Sequence, residues 1–275
     1  MTGARALFDH CADLIHAADC LIIGAGAGIG VDSGLPDFRG EHGFWTAYPA
    51  LGRAQISFYD IACPDAFEKS PRLAWGFYGH RLKLYRQTVP HEGFAMLREI
   101  GDSLVQGAFV FTSNVDGQFQ KAGFAPERID ECHGSIHHLQ CLGACTPETW
   151  PADDFDPDID TDQCRLISDL PRCPACDGIA RPNVLMFGDW NWVKSRELLQ
   201  ARARATWQEK ATNTVVIELG AGTDVPSVRE FCERQRRPLI RVNPREPGMG
   251  SREGVSLRMG ALEAMRGIRA ALARS

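Results

Sequence analysis

Four short, mainly apolar runs punctuate the chain: Cys20–Ile23, Ala108–Thr112, Val215–Leu219 and Leu239–Val242. They are too short for buried helices and lack the alternation of a half-wet strand, so they read as strands covered on both faces. Between them lie helix-like stretches at 72–87, 91–100, 194–210 and 258–272. Strands alternating with helices predict an α/β fold built on a doubly wound parallel sheet. Each run ends in small or polar residues: Gly24-Ala25-Gly26, Ser113-Asn114, Gly220-Ala221-Gly222 and Asn243-Pro244. Ligands of such sheets bind beyond the carboxyl ends of the strands, so these loops are where a site is expected. One stretch breaks the pattern: Pro151–Asp162 carries six aspartates and reads as an exposed loop.

With 275 residues, the chain has room for one large domain with a small satellite. A net charge of −5 argues against a nucleic-acid binder. Its Arg-rich segments, 196–208 and 233–241, are interleaved with acids and read as solvated faces. Asp9 and Asp13 interrupt any signal-peptide core, and the longest apolar run, Cys20–Val31, holds four glycines. A soluble, cytoplasmic protein is expected. There its ten cysteines stay reduced. Cys11, Cys20, Cys63 and Cys232 are scattered and read as packing residues. Five others cluster between 141 and 176. Cys141-x₃-Cys145 and, 28 residues on, Cys173-x₂-Cys176 have the spacing of two knuckles whose thiolates converge on one zinc ion. Cys164 lies outside both pairs. A four-thiolate site has no open position, so the zinc would be structural.

The first loop, Gly24–Gly40, is a candidate phosphate cradle, because glycines let backbone N–H groups approach an anion. It matches neither G-x-G-x-x-G nor a P-loop, and taken alone it reads equally as a tight strand–helix turn. In its continuation, Pro36 disrupts any helix, and Asp37-Phe38-Arg39 suggests either a flap over a charged ligand or a surface loop with an ion pair. Asn114 and Asp116 stand two apart after a predicted strand. They could address a ribose and a carboxamide from one pocket, or simply form an Asx turn. His133-Gly134 follows a short predicted strand; such a histidine reads either as a structural residue or, where a sharp turn presents the imidazole to a cleft, as a general base.

Taken together these segments resemble the sirtuin family. Gly26–Gly40 is similar to its GAG-x-S-x-x-SGIPDFRG segment, departing at Gly30, where many members have Ser; Trp45 and Tyr48-Pro49 continue the likeness. Thr112–Gly117 resembles T-Q-N-I-D-x-L-H, with Ser113 for Gln and Gln118-Phe119 for Leu-His. Cys132-His133-Gly134 and the cysteine pairs follow in the family's order. Arg181–Asp189 resembles R-P-x-V-V-x-F-G-E, followed by Trp190-Asn191-Trp192 in place of Leu-Pro. Gly220–Ser227 looks like the G-T-S-x-x-V-x-P loop, and Val242-Asn243 like a later Asn that meets the adenosine ribose.

The resemblance covers about residues 20–265 and implies one sirtuin-type catalytic domain over 1–275. Its Rossmann-like lobe would take approximately 1–40, 91–133 and 184–275, and an inserted zinc-ribbon and helical lobe 41–90 and 134–183. It implies NAD as a consumed co-substrate, touched by Gly26, Ala27, Gly28, Gly30, Asp37, Phe38, Arg39, Ser113, Asn114, Asp116, Gly220, Gly222, Thr223 and Asn243. Asn114 would contact the nicotinamide-side ribose, Asp116 the carboxamide, and His133 would be the base. One structural zinc would sit on Cys141, Cys145, Cys173 and Cys176. An acylated protein would add as a strand beside Val184, Met186, Phe187 and Gly188, with the side chains of Val184, Met186 and Phe187 walling the lysine tunnel. The implied activity is protein-lysine deacylation, with the acyl group passing to ADP-ribose and nicotinamide released. An NAD glycohydrolase or ADP-ribosyltransferase on the same scaffold, or a non-catalytic NAD-sensing module, are the alternatives. A hydride-transferring dehydrogenase would need the fingerprint this chain lacks.

Overall fold

The computed structural model describes residues 2–36 and 40–274. Its strands are β1 (Cys20–Ala25), β2 (Ala108–Thr112), β3 (Ile129–Glu131), β4 (Gly134–Cys141), β5 (Trp150–Pro151), β6 (Ile159–Asp160), β7 (Arg165–Leu166), β8 (Ala180–Val184), β9 (Thr214–Leu219), β10 (Leu239–Val242) and β11 (Gly254–Leu257). Six of them form one parallel sheet in the order β11-β10-β9-β1-β2-β3. The four expected strands are its centre, and the two short edge strands were not anticipated. β3 has only three residues, and β11 reads Gly-Val-Ser-Leu, so neither yields a run long enough to recognise.

Successive residues of a strand face opposite sides, and here both sides are dry. Leu21, Ile23, Val215 and Ile217 pack under helices Thr2–His16, Glu92–Ser103 and Ala261–Leu272. Ile22, Phe111 and Val216 pack against helix Ser227–Arg234 through Val228, Phe231 and Cys232. Chain direction across the sheet reverses between β1 and β9, which makes their carboxyl ends the switch point.

A second core is built around β5-β4-β8, an antiparallel sheet, and helix Pro71–Gln87. Phe44, Phe67, Trp75, Phe77 and Tyr78 fill it. Pro71 opens the helix at a position whose N–H needs no partner. Lys121 closes it, its ammonium donating to the carbonyls of Tyr85, Arg86 and Thr88 at 2.7–2.9 Å. The Asp-rich stretch is more ordered than its composition suggested. Its aspartates stay largely outward, but Ala152 is buried and Phe155 meets Trp75 edge-on at 4.8 Å. Arg86 pins this segment through the carbonyls of Ala152 and Phe155.

The two arginine segments expected to be solvated keep Arg202, Arg234, Arg236 and Arg237 exposed, but other members are tied inward. Arg241 is 1% exposed and faces Glu218 across the β9–β10 register, donating to both of its carboxylate oxygens (2.7 and 2.9 Å) and to Glu233. Arg196 and Arg204, on helix Ser195–Lys210, pair with the buried carboxylates of Glu131 and Asp130 on β3. Buried acids need partners, and only the fold shows that these arginines are the partners.

Candidate active site

At the switch point the loops after β1 and β9 meet backbone to backbone. Gly26 N–H donates to Leu219 O (3.0 Å) and Gly28 N–H to Gly220 O (3.1 Å). These two donors are therefore committed to the protein, and the glycines let the two loops approach closely. Gly30 is buried against Leu35. A small cavity of about 90 Å³ lies beside the junction, lined by Gly28, Gly220, Asn243 and Arg245. The Asn243 side chain is occupied by structure: it donates to Ala221 O (2.8 Å) and accepts from Arg245 and Glu246 N–H (2.9 Å each). Thr223 donates its hydroxyl to Glu246 at the surface.

A larger cavity of about 620 Å³ opens between the two cores. Gly26, Ala27, Ser113, Asn114, Asp116, His133, Gly220 and Gly222 line it from the parallel-sheet side, and Val184, Met186, Phe187 and Gly188 from the other. The structure thus brings together groups that the chain separates by more than a hundred residues. Asp37, Phe38 and Arg39 lie outside the described residues.

Asn114 follows β2 with its N–H on Thr112 Oγ1 (3.0 Å), and its side-chain amide donates to Gly26 O (3.1 Å), joining the second strand's loop to the first. Asp116 accepts from Gln118 N–H (2.9 Å), so the Asx turn exists, yet its carboxylate also lines the cavity. Burial pushes its pKa up to about 6, against the lowering influence of that N–H. The backbone of this turn is held by His137, whose Nε2 lies 2.9 Å from Asp116 O. Against a carbonyl, Nε2 must carry the proton. His133 stands in the turn between β3 and β4, and burial holds its pKa below the ordinary value, so it is a neutral imidazole near pH 7. Its Nε2 lies 3.1 Å from Ser227 Oγ.

β8 pairs with β4, and the segment after it continues along the cavity. Leu185 N–H donates to His133 O and Phe187 N–H to Ala62 O. Arg181 is fully buried and ties this turn together through Asp189 (2.8 Å) and Val184 O. Phe187 packs on Tyr59 at a tilt, ring centroids 4.3 Å apart, and meets Phe58 edge-on, which makes an aromatic mouth.

Sequence reading missed the deep end of this cavity. Tyr78, Arg81 and Tyr85, on one face of helix Pro71–Gln87, line it. Arg81 is 8% exposed and donates through Nε and Nη2 to Tyr85 Oη (2.9 and 2.7 Å), with its guanidinium against the rings of Phe77, Tyr78 and Tyr85. The available signal was the 3,4 spacing, which puts an arginine on an otherwise aromatic helical face.

The four predicted cysteines converge. Their sulfurs all lie within 4.8 Å of one another, with Cys141–Cys176 at 3.7 Å and Cys145–Cys173 at 3.6 Å. A tetrahedron with Zn–S bonds of about 2.3 Å has edges of about 3.8 Å, so the donor set fits a zinc ion and is far too open for disulfides. Cys164 is buried among the aromatic residues of the second core, apart from this group.

A parallel sheet with glycine loops at its switch point, joined to a cysteine-held lobe across a polar–aromatic cavity, defines a nucleotide-binding α/β protein with a second substrate site. Residues 26–226 match the Sir2 family model, and the chain belongs to that family. An NAD-dependent protein deacylase of Aeropyrum pernix is 29% identical over 240 residues, 86% of each chain. Another, of Aquifex aeolicus, is 31% identical over 223 residues, 80% of this chain and 82% of its own. The fold superposes on a crystal structure of a Sir2 homologue–NAD complex with a TM-score of 0.71, at 24% identity, over 96% of this chain and 93% of the other.

Proposed function

We propose that this protein is an NAD-dependent protein-lysine deacylase that prefers acyl groups ending in a carboxylate. The observation that carries the reading is one cavity with Asn114, Asp116 and His133 on one wall, the Val184–Gly188 segment on the other, and Arg81 at its inner end. The mouth beside Phe58, Tyr59 and Phe187 admits a lysine side chain, whose methylenes suit an aromatic lining. Arg81, buried on the cavity wall, places a guanidinium whose planar donors suit a carboxylate, with the Tyr78 and Tyr85 hydroxyls beside it as further donors.

In the reaction the amide oxygen of acyl-lysine attacks the ribose carbon of NAD as nicotinamide departs. Asp116 accepts the nicotinamide carboxamide N–H, and Asn114 orients the ribose. His133 then removes a proton from a ribose hydroxyl, which attacks the acyl-derived carbon. Water completes the release of lysine and O-acyl-ADP-ribose. The zinc held by Cys141, Cys145, Cys173 and Cys176 cross-links the smaller lobe. The acylated protein is bound by strand addition beside the segment after β8. Ten cysteines, four of them a zinc-binding set and none in a disulfide among the described residues, suit a reducing compartment, the cytoplasm.

Nicotinamide release from NAD, followed by mass spectrometry with succinyl-lysine, acetyl-lysine and no peptide, tests this. Release that requires the succinyl peptide and yields O-succinyl-ADP-ribose is expected, and His133→Ala should abolish it while NAD still binds. Release without peptide would instead establish a glycohydrolase.

A further inference from the structure

Ser227 is the first residue of helix Ser227–Arg234, directly after the N-cap Pro226. Its Oγ lies 3.1 Å from His133 Nε2, across 94 residues of chain. The neighbouring residues Asp224, Val225 and Val228 line the large cavity, as His133 does, so this contact sits on the cavity wall.

Resting on the deacylase reading above, we propose that Ser227 is a positioning residue for His133, holding the ring orientation and the tautomer in which Nε2 is the nitrogen that meets the ribose hydroxyl. A hydroxyl is suited to this because it both donates and accepts. Donating to Nε2, it fixes the proton on Nδ1, so Nε2 is the basic nitrogen. It is also the same kind of donor as the ribose hydroxyl, which can replace it at that nitrogen without a change of tautomer. After proton transfer the imidazolium carries Nε2–H, and Ser227 Oγ can accept from it. That acceptor matters in a site where burial disfavours the charged ring.

The two halves of the reaction separate this role from a structural one. Nicotinamide departs before the base acts, so exchange of labelled nicotinamide into NAD reports the first half, and succinyl-lysine turnover reports both. Ser227→Ala is expected to lower kcat for a succinyl-lysine peptide about tenfold, a part of the factor a positioned general base supplies. Exchange and the KM for NAD should stay within about twofold, since a lost positioning contact of this kind acts on one step only. Ser227→Thr, which keeps the hydroxyl, should recover most of the rate. On a His133→Ala background Ser227→Ala should have no further effect. An unchanged kcat in Ser227→Ala overturns the inference, as does a parallel loss of exchange, turnover and thermal stability, or a threonine variant no better than alanine. A wild type that releases nicotinamide without any acyl-peptide overturns the deacylase reading itself, and the role of Ser227 falls with it.

Discussion

Gly28 and Gly220 touch through their backbones: Gly28 N–H donates to Gly220 O, and a Cβ on Gly28 would fall 2.7 Å from Gly220 Cα. A Cβ on Gly220 would fall 2.4 Å from the Gly28 carbonyl carbon, at a residue whose φ of +63° already favours glycine. This contact closes the switch point and sets the spacing of every group that reaches the cavity from β1 and β9. Alanine at either position should separate the loops. The expected loss is about 2–4 kcal/mol of unfolding free energy, read by denaturant titration, together with NAD affinity weakened at least tenfold by calorimetry. Ordinary stability and binding in Gly28→Ala would refute the contact.

Zinc content follows from the sulfur geometry. Purified protein should hold about one zinc per chain by atomic emission, and Cys173→Ser should lose it together with the cooperative melting of the smaller lobe. A metal-free wild type that melts cooperatively would contradict the fit.

Asp116 ties activity to pH. Its pKa is pushed up to about 6 by burial, so the carboxylate proposed to accept the carboxamide N–H is lost as pH falls through that value. The KM for NAD should rise below pH 6, and Asp116→Asn should give a high, flat KM. Stability should run the other way. The folded state holds its Asp116 proton more tightly than the unfolded chain, so this residue costs stability above pH 6 and the cost fades as pH falls toward 4. Asp116→Asn should therefore be more stable than wild type at pH 7.5, by on the order of 2–3 kcal/mol. Equal stability at that pH would show that the carboxylate is not strained.

Arg81 should decide the acyl class. Arg81→Met keeps much of the volume and removes the cation. Succinyl-lysine turnover (kcat/KM) should fall about a hundredfold, the cost of unpairing a buried carboxylate, while acetyl-lysine turnover holds or rises. Equal losses on both peptides would mean that Arg81 only supports the fold.

Part of this site was legible because some residues are locally constrained. The glycines of 24–28 and 220–222, the cysteine pairs, and His133-Gly134 are residue types that few other contexts require at those spacings. What escaped was chemistry carried by ordinary residues in ordinary elements. Tyr78, Arg81 and Tyr85 lie in a regular amphipathic helix, and Ser227 looks like a common helix-start serine.

The linear chain determined the strand–helix alternation and the placing of chemical residues in the loops after strands, because burial on two faces and sharp turns each demand particular side chains locally. It determined the cysteine set too, since thiolate spacing limits what they can share. Only the tertiary structure decided which arginines are buried, that Gly26 and Gly28 commit their N–H groups to the end of β9 and the loop after it, that Asn243 braces Ala221, and that a helix from the smaller lobe sends a cation into the cavity. Those outcomes depend on groups far apart in the chain competing for the same partners, and that competition is settled only when the two cores pack.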